Sequence, residues 1–280
     1  MKKTWLWLII SLAALLAACS SAETTEKDSA KSEGKEETTA VSAEARVEKI
    51  IVGTGTQFPN VCFIDENGNL TGYDVELVKA IDEKLPEYEF EFKTMEFSNL
   101  LLSLETNKID FIAHQMEVNE ERQEKFLFNK EPYNVFPLKV TVNQNNNEIN
   151  SVEDLKGKKV GVTPTSSSAV VIEDYNEEHD LGAEVIYGTG SADFQEQLKT
   201  GRIDAIISTP FAVDFVNEHA DAQQKVVGEP LLSSKVYFLL NKKSTALSDR
   251  IDEALKELKE EGVVRELSVE WLGADYTVDF

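Results

Sequence analysis

The feature of this chain that most limits its possible folds is a short internal repeat. The segments NKIDFIAHQ at 107–115 and GRIDAIIST at 201–209 share a pattern, and each leads from an apolar strand into a capped turn. Both follow a capped amphipathic helix, so the repeat predicts two similar α/β lobes, each with a strand end at a shared cleft. Asp110 and Asp204 occupy the same place in the two copies, and their position in mid-motif indicates a structural role.

Apolar spacing along the rest of the body, from 47 to 273, alternates between strand-like runs and helical periods. The strands predicted near 138–142 and 236–240 are the crossings between lobes, so the first lobe is built from both ends of the body. The region 248–273 is predicted to be helical. Residues of capping type precede several helical periods, and the predicted helix caps are Asp74, Ser98, Asn119, Ser191 and Thr209, the last followed by Pro210.

The charge of the chain restricts its partners. Its 280 residues carry 51 acidic and 28 basic side chains, which gives a net charge of −23 and a pI of about 4.5. Nucleic-acid binding requires clustered Lys and Arg, so this class of partner is excluded. The length is enough for one large or two small domains.

The N-terminal segment is predicted to lie outside the folded body. A basic start precedes an apolar run at 5–18 that is too short to span a bilayer, so 1–18 is predicted to be a signal peptide. Residues 19–46 are rich in Ser, Thr, Glu, Lys and Ala, with almost no large apolar side chain. Such a segment cannot bury a core, and it is expected to form a disordered tether.

The sequence LAAC at 16–19 resembles the bacterial lipoprotein box, in which the signal is cut before the cysteine and the thiol is acylated. The resemblance implies lipid attachment at Cys19, with palmitate as an expected chain, and a location on the outer face of the cell membrane. The alternative is an ordinary signal peptide with a chance cysteine. If Cys19 is acylated, Cys62 has no cysteine partner, because the chain contains two cysteines.

One segment, HQMEVNEERQEKFLFNKEPY at 114–133, carries a candidate ligand contact. It begins at the end of an apolar strand, and ligands of open α/β sheets bind beyond the carboxyl ends of strands. Arg122 follows the turn residue Asn119, and its planar guanidinium suits a carboxylate gripped by two hydrogen bonds. The alternative is a helix-surface arginine paired with Glu121 or Glu124. The side chains predicted to face the cleft are Gln115, Glu117 and Arg122.

Longer motifs occur in a fixed order over nearly all of 47–273: DENGNLTGYDVELVKAI, IDFIA followed by NEERQEKFLF and EPY, SVEDLKGKKVGV, LKTGRIDAII and EWLG. With them the chain resembles the solute-binding proteins of ABC importers for polar amino acids. The resemblance implies an α/β fold of two lobes, a periplasmic-binding-protein-like clamshell of type II with two crossover hinge strands. Lobe 1 is then expected at 47–141 and 236–280, and lobe 2 at 142–235.

A second group of motifs, GTQFPNVCFIDENG, AHQMEVNEER, EPYNVFPLKVTV and STPFAVDF, is similar to Gram-positive lipoproteins that bind cystine and related sulfur amino acids. This similarity implies a solute-binding lipoprotein that captures L-cystine or a related amino acid by lobe closure and delivers it to an ABC permease. A histidine- or glutamine-type ligand is the alternative. No cofactor or metal is expected, and the protein is expected to be a monomer.

The family pattern assigns roles to individual residues. Arg122 would hold the ligand α-carboxylate, Phe58 would cover the ligand, and Phe97 would form a second wall. Ser166 and Ser167 stand in the lobe 2 turn that meets the carboxylate, at a helix N-terminus that favours anions; their alternative role is helix capping. The polar side chains expected on the lobe 1 side of the site are His114, Gln115 and Glu117.

One position departs from the family pattern. Where the family commonly has an aspartate that pairs with the ligand ammonium, this chain has Thr209. A hydroxyl cannot balance a buried cation alone, so Glu117 is expected to supply the charge from lobe 1. The alternative is a solvated glutamate at the rim of the cleft.

Two residues and one functional class have open alternatives. Met116 either adds a polarizable wall to the site or packs in the core, since alternate residues of a strand face opposite ways. Cys62 either packs beneath the ligand loop or exchanges with a disulfide ligand. An enzyme on the same fold, such as a small-acid dehydratase, is not favoured, because the three histidines form no nucleophile–base pattern.

Overall fold

The structure, a computed structural model, describes residues 47–188 and 190–278. The predictions of a signal peptide, a tether and lipid attachment at Cys19 lie outside the described residues. Among the helices that the structure does describe, none is both long and apolar enough to cross a membrane.

The described chain alternates between strands and helices. The strands are β1 (Glu48–Thr54), β2 (Gln57–Phe58), β3 (Cys62–Ile64), β4 (Leu70–Thr71), β5 (Tyr88–Thr94), β6 (Phe111–Glu117), β7 (Phe126–Phe128), β8 (Asn134–Asn143), β9 (Lys159–Val162), β10 (Glu184–Tyr187), β11 (Ala205–Ser208) and β12 (Gln224–Asn241). The helices are α1 (Tyr73–Lys84), α2 (Phe97–Glu105), α3 (Glu120–Lys125), α4 (Ser167–His179), α5 (Ser191–Lys199), α6 (Pro210–Ala220), α7 (Thr245–Glu260) and α8 (Val263–Leu272), with a 3-10 turn at Val152–Leu155.

Most strands of the described chain form one nine-stranded mixed sheet in the order β10-β9-β11-β8-β12-β6-β1-β5, with β7 beside β12. Strand β1 is parallel to β5 and β6, and β9 is parallel to β10 and β11, so two parallel groups flank the central strands. Helices α1 and α2 pack with the β1 group, α7 and α8 pack with α1, and α3 packs with β7. Helices α4 and α5 pack with the β9 group, whereas α6 packs with β8 and β12. We call the β1 group with β7, α1, α2, α3, α7 and α8 lobe 1, and the β9 group with α4, α5 and α6 lobe 2.

The central strands β8 and β12 run antiparallel and connect the two lobes. They pair through 134–138 with 232–236 and through 140–143 with 224–227. Strand β8 also pairs with β11 of lobe 2, and β12 pairs with β6 and β7 of lobe 1. Both predicted crossing strands fall within these two elements, whereas the residue boundaries predicted for the lobes stay a prediction.

The two copies of the internal repeat make the same contacts. Asp110 Oδ2 accepts the Ile51 N–H at 2.7 Å, and Asp204 Oδ2 accepts the Lys159 N–H at 2.8 Å. In return, the backbone N–H of Asp110 donates to the Ile51 carbonyl, and that of Asp204 donates to the Lys159 carbonyl, each at 2.8 Å. The structural role predicted for Asp110 and Asp204 is confirmed, since Asp110 fastens the start of β6 to β1 and Asp204 fastens the start of β11 to β9.

Three predicted helix caps are wrong. The caps of α1, α2 and α5 are Gly72, Glu96 and Gly190, so the predicted residues Asp74, Ser98 and Ser191 fall inside the helices. A short polar residue is common both at the cap and in the first turn, so the sequence pattern alone does not fix the exact start of a helix.

Other local predictions hold. The Asn119 side chain accepts the Arg122 N–H at 2.8 Å, and the Thr209 hydroxyl accepts the Ala212 N–H at 3.4 Å. The helical region predicted at 248–273 is divided into α7 and α8, because the chain turns at Gly262 with φ 83°.

Candidate ligand-binding site

A cavity with a volume of about 180 Å³ lies between the strand ends of the two lobes. Lobe 1 contributes the β1–β2 region, the start of α2 and the end of β6, and lobe 2 contributes the loop after β9, the start of α4 and the end of β11. The predicted ligand contacts that line it are Phe58, Phe97, His114, Gln115, Glu117, Ser166 and Ser167. Arg122 and Thr209 are not among the lining residues.

The end of β6 reaches the cavity through an irregular stretch. Strands β6 and β12 lose register between the pairs Met116–Tyr237 and Ile112–Leu239, so residues 113–115 form a bulge. The last residue of the bulge adopts φ 48°, a left-handed conformation that is uncommon for a residue other than glycine. The bulge therefore needs support from its surroundings.

Side chains from neighbouring elements satisfy the backbone of this bulge. The Thr54 hydroxyl donates to the Ala113 carbonyl at 2.7 Å, and the Asp74 carboxylate accepts the Gln115 N–H at 2.8 Å. Asp74 also accepts from the Gln115 side-chain amide at 2.6 Å and from the Tyr133 hydroxyl at 2.9 Å. Burial raises the pKa of Asp74 to about 6, and these hydrogen bonds oppose the rise.

His114 forms part of an aromatic wall. Its ring centroid lies 5.3 Å from that of Phe58 and 4.9 Å from that of Phe97. A Cβ at Gly55 would lie 2.8 Å from His114 Nε2, so the close approach requires a glycine there. Burial lowers the pKa of His114 to about 4, and the imidazole is therefore neutral near pH 7.

Arg122 and Glu117 form a buried ion pair beside the cavity. Only 2% of Arg122 and 5% of Glu117 is exposed, and Arg122 Nη1 lies 3.4 Å from Glu117 Oε2. The guanidinium also donates to the carbonyl of Glu117 at 3.0 Å and to that of Thr165 in lobe 2 at 3.1 Å. The alternative of a surface arginine paired with Glu121 or Glu124 is wrong, because the guanidinium turns back to the end of β6.

The two carboxylate oxygens of Glu117 have different surroundings. Oε2 accepts from Ser167 Oγ at 2.5 Å and from Arg122, whereas Oε1 is buried and has no hydrogen-bond partner within the described part of the chain. Burial raises the pKa of Glu117, against the charge of Arg122 and the hydrogen bond from Ser167. The alternative of a solvated glutamate at the cleft rim is wrong, because the carboxylate is buried.

The two predicted serines differ in role. Ser166 Oγ accepts the Ala169 N–H at 3.2 Å and donates to the Thr163 carbonyl at 2.7 Å, so the capping alternative describes Ser166. Ser167 instead donates across the cleft to Glu117. Both residues line the cavity at the start of α4.

Thr209 is buried and caps α6 through its hydroxyl. Its neighbours Ser208 and Ala212 line the cavity, whereas Thr209 itself does not. The structure thus uses the Thr209 hydroxyl for the helix start, and its ligand contact stays a prediction.

Met116 and Cys62 are both fully buried and lie outside the set of lining residues. Met116 packs with Leu100, Leu104 and other apolar side chains in the core of lobe 1, so its core alternative is confirmed. Cys62 belongs to the main cluster of buried apolar side chains, so its packing alternative is confirmed as well. Burial also raises the pKa of Cys62 to about 12.

Sequence reasoning missed Phe136 and Phe194, which form further walls of the cavity. The ring of Phe136 lies edge-on to Phe58, with 6.1 Å between centroids. A Cβ at Gly161 would lie 2.7 Å from the Phe194 ring. A glycine inside a strand often marks such a close approach, so Gly161 was the available signal, although it does not say which side chain approaches.

The chain belongs to a known family. The profile of the bacterial extracellular solute-binding proteins, family 3, matches residues 50–274. The two-lobed α/β fold is confirmed, and so is the prediction of a binding protein rather than an enzyme.

Relatives of this chain include proteins named for cystine. The L-cystine-binding protein TcyK of Bacillus subtilis (strain 168) is 50% identical over 277 residues, which are 99% of this chain and 97% of TcyK. A solved structure from Listeria monocytogenes, provisionally assigned to an L-cystine ABC transporter, has TM-score 0.78 and 58% identity over 82% of this chain and 98% of its own. An ancestral arginine-binding protein bound to arginine has TM-score 0.73 and 34% identity, covering 80% of this chain and 97% of its own.

Proposed function

We propose that this chain binds L-cystine, or a related sulfur amino acid, between its lobes and delivers it to the permease of an ABC importer. Support comes from the 50% identity to TcyK over nearly the whole chain. At the site, the proposal depends on one observation. Glu117 Oε1 is buried close to Arg122 and has no hydrogen-bond partner among the described residues.

Glu117 and Arg122 suit the two charges of an α-amino acid. The ligand ammonium is proposed to donate to Glu117 Oε1, because a buried acceptor without a donor costs roughly 1–3 kcal/mol. The ligand α-carboxylate is proposed to accept from Arg122, where it would replace the Thr165 carbonyl or Glu117 as acceptor. The start of α4 beside Ser167 adds backbone N–H groups of the kind that bind anions.

The aromatic wall suits the sulfur-containing part of the ligand. Phe58 and Phe97 flank His114, and Phe136 lies against Phe58. Sulfur atoms contact aromatic rings favourably, by about 0.3–1.5 kcal/mol. The neutral imidazole is proposed to hydrogen-bond the second zwitterionic end of cystine.

A histidine-, glutamine- or arginine-type ligand is the alternative. It would use the same grip on the α-carbon groups, and the 34% identity to the ancestral arginine-binding protein favours it. The two candidates differ in what fills the aromatic end of the cavity.

We also propose that acylation of Cys19 holds the protein at the outer face of the cell membrane as a monomer, with residues 19–46 as a tether. The support is the LAAC sequence and the polar composition of the segment behind it. Two acyl chains would give a stable anchor, where one would bind only reversibly.

Isothermal titration tests the ligand assignment. The protein is titrated separately with L-cystine, cystathionine, S-methylcysteine, histidine, glutamine and arginine. We expect the lowest Kd for L-cystine or cystathionine. Tightest binding of a ligand without sulfur would overturn the assignment to a sulfur amino acid. No measurable binding of any of these amino acids would overturn the proposed binding site.

A further inference from the structure

The bulge at the end of β6 depends on a carboxylate that lies outside the cavity. The Asp74 side chain is 0% exposed and accepts three hydrogen bonds, from the Gln115 N–H, the Gln115 side-chain amide and the Tyr133 hydroxyl. Asp74 belongs to α1, which packs behind β6. It therefore reaches the site from the protein interior rather than from the cleft.

The neighbouring strand cannot replace Asp74 as the partner of this bulge. The residue of β12 opposite the bulge is Phe238, whose N–H donates to Asn129 Oδ1 at 2.8 Å and whose carbonyl accepts the Asn129 N–H at 3.3 Å. A buried N–H left without an acceptor costs about 1–3 kcal/mol. The left-handed φ of Gln115 adds strain that persists only where the surroundings impose it.

We propose that Asp74 is a positioning residue of the ligand site: its carboxylate holds residue 115 in the bulge and thereby sets His114 between Phe58 and Phe97. The inference rests on the ligand binding proposed above. Without the carboxylate, the end of β6 relaxes toward regular pairing. Because alternate residues of a regular strand share a face, His114 would then turn to the side of Ile112 and Met116, which pack in the core of lobe 1, and would leave its place in the wall.

The same network extends to a strand shared by both lobes. Gln115 Oε1 accepts from Asn134 Nδ2 at 2.9 Å, and Asn134 is the first residue of β8. The Tyr73 hydroxyl donates to the Tyr133 carbonyl at 2.7 Å, immediately before β8. Asp74 thus connects the cavity wall with the start of a crossing strand.

Asp74→Asn is the direct test, because it keeps the size of the side chain but turns an NH₂ group toward donors. We expect the Kd for L-cystine to rise at least about tenfold, the factor that corresponds to roughly 1.4 kcal/mol. Asp110→Asn is the matched control, since Asp110 lies on the loop that enters β6 and also accepts a backbone N–H, from Ile51 at 2.7 Å. This control is expected to lower Tm while the Kd stays within about twofold.

NMR of the imidazole nitrogens separates positioning from general stability. The chain has three histidines, so the signals of His114, His179 and His219 can be assigned by substitution. In folded Asp74→Asn we expect the His114 signals to move and those of His179 and His219 to stay. A role limited to stability would leave all three unchanged, as expected for Asp110→Asn.

If Asp74→Asn does not fold, Tyr133→Phe removes one donor to Asp74 and is expected to produce a smaller effect in the same direction. An unchanged Kd or an unchanged His114 signal in the folded variant overturns the proposal. A wild-type protein that binds no amino acid overturns the proposed function instead, and the His114 signal then decides the positioning role alone.

Discussion

Ser167 at the start of α4 donates a 2.5 Å hydrogen bond to the buried carboxylate of Glu117 at the end of β6. This bond joins lobe 2 to lobe 1 beside the cavity. The Arg122 guanidinium makes a second connection of this kind, to the Thr165 carbonyl at 3.1 Å. The side chains proposed to recognise the ligand charges therefore also hold the lobes together, so substitutions here are expected to affect binding and closure jointly.

Arg122→Ala is expected to abolish binding of the amino acid. Removing one partner of a buried charge pair costs about 3–5 kcal/mol, which corresponds to a factor of several hundred or more in affinity. Arg122→Lys should fail as well, because a point charge does not reproduce the bidentate fork. Isothermal titration below the Tm of each variant measures the effect.

The matched control for Arg122 is Arg250→Ala. Arg250 pairs with Glu87 at 2.6 Å on the surface of lobe 1, so its loss is expected to leave the Kd unchanged. Near-normal affinity in either Arg122 variant would refute the carboxylate assignment.

Glu117→Gln is expected to weaken binding more than it lowers stability. The amide oxygen can still accept from Ser167 and Arg122, but the NH₂ group then stands where Oε1 would meet the ligand ammonium. We expect a rise in Kd of at least about tenfold, since hydrogen bonds to charged groups contribute roughly 1.5–3 kcal/mol. Titration and thermal unfolding are compared with those of Glu121→Gln, whose exposed carboxylate pairs with Lys125. Equal effects on Kd in the two variants would contradict the assignment of Glu117.

Much of the lobe 1 site could be predicted because its signals are local. Asn119 precedes a helix and caps it through the Arg122 N–H, only three residues away. The motif shared by Asp110 and Asp204 likewise fixes contacts that recur in both lobes. Short-range patterns of this kind follow from backbone geometry, so they appear directly in the sequence.

The role of Asp74 could not be predicted in the same way. Its position at the start of α1 suggests a helix cap, but its partner Gln115 lies 41 residues further along the chain. Phe194 is similar, because α5 presents it as an ordinary apolar helix residue, and only the packing of lobe 2 turns it to the cavity. Such contacts depend on which strands become neighbours, and periodicity alone does not determine that.

Acid pH is expected to lower the stability of the fold through protonation of His114. Burial lowers its pKa from the ordinary 6.5 to about 4, so the stability that the neutral ring supplies is complete above pH 6.5 and is lost as the pH falls toward 4. The loss is on the order of 3 kcal/mol. Asp74 acts in the opposite direction, because its pKa is raised from 3.8 to about 6 and its contribution is lost as the pH rises through 6.

His114→Gln removes the histidine contribution and leaves that of Asp74. The free energy of unfolding of this variant, relative to wild type, should therefore increase as the pH is lowered from 7.5 to 4.5. Urea unfolding measures this difference. His219→Gln is the control, since His219 is exposed. A difference that stays constant over this range would contradict the prediction.

Cys19→Ala is expected to release the protein from the membrane. The prediction rests on LAAC at 16–19, because acyl chains can be attached only to the cysteine of this sequence. Membrane fractionation measures the effect, and an unchanged Kd for the ligand serves as the control for folding. A folded, processed variant that remains in the membrane fraction would exclude the proposed anchor.

Cys62 is expected not to exchange with a cystine ligand in the folded protein. Exchange requires an accessible thiolate, which would add a half-cystine and release cysteine. Cys62 is fully buried, and burial raises its pKa to about 12, so the thiolate is scarce and out of reach. Intact-mass analysis of the Cys19→Ala protein, in which Cys62 is the sole thiol, tests this after incubation with L-cystine. The same incubation in denaturant should add the half-cystine, and its addition under native conditions would show that the thiol reaches the ligand.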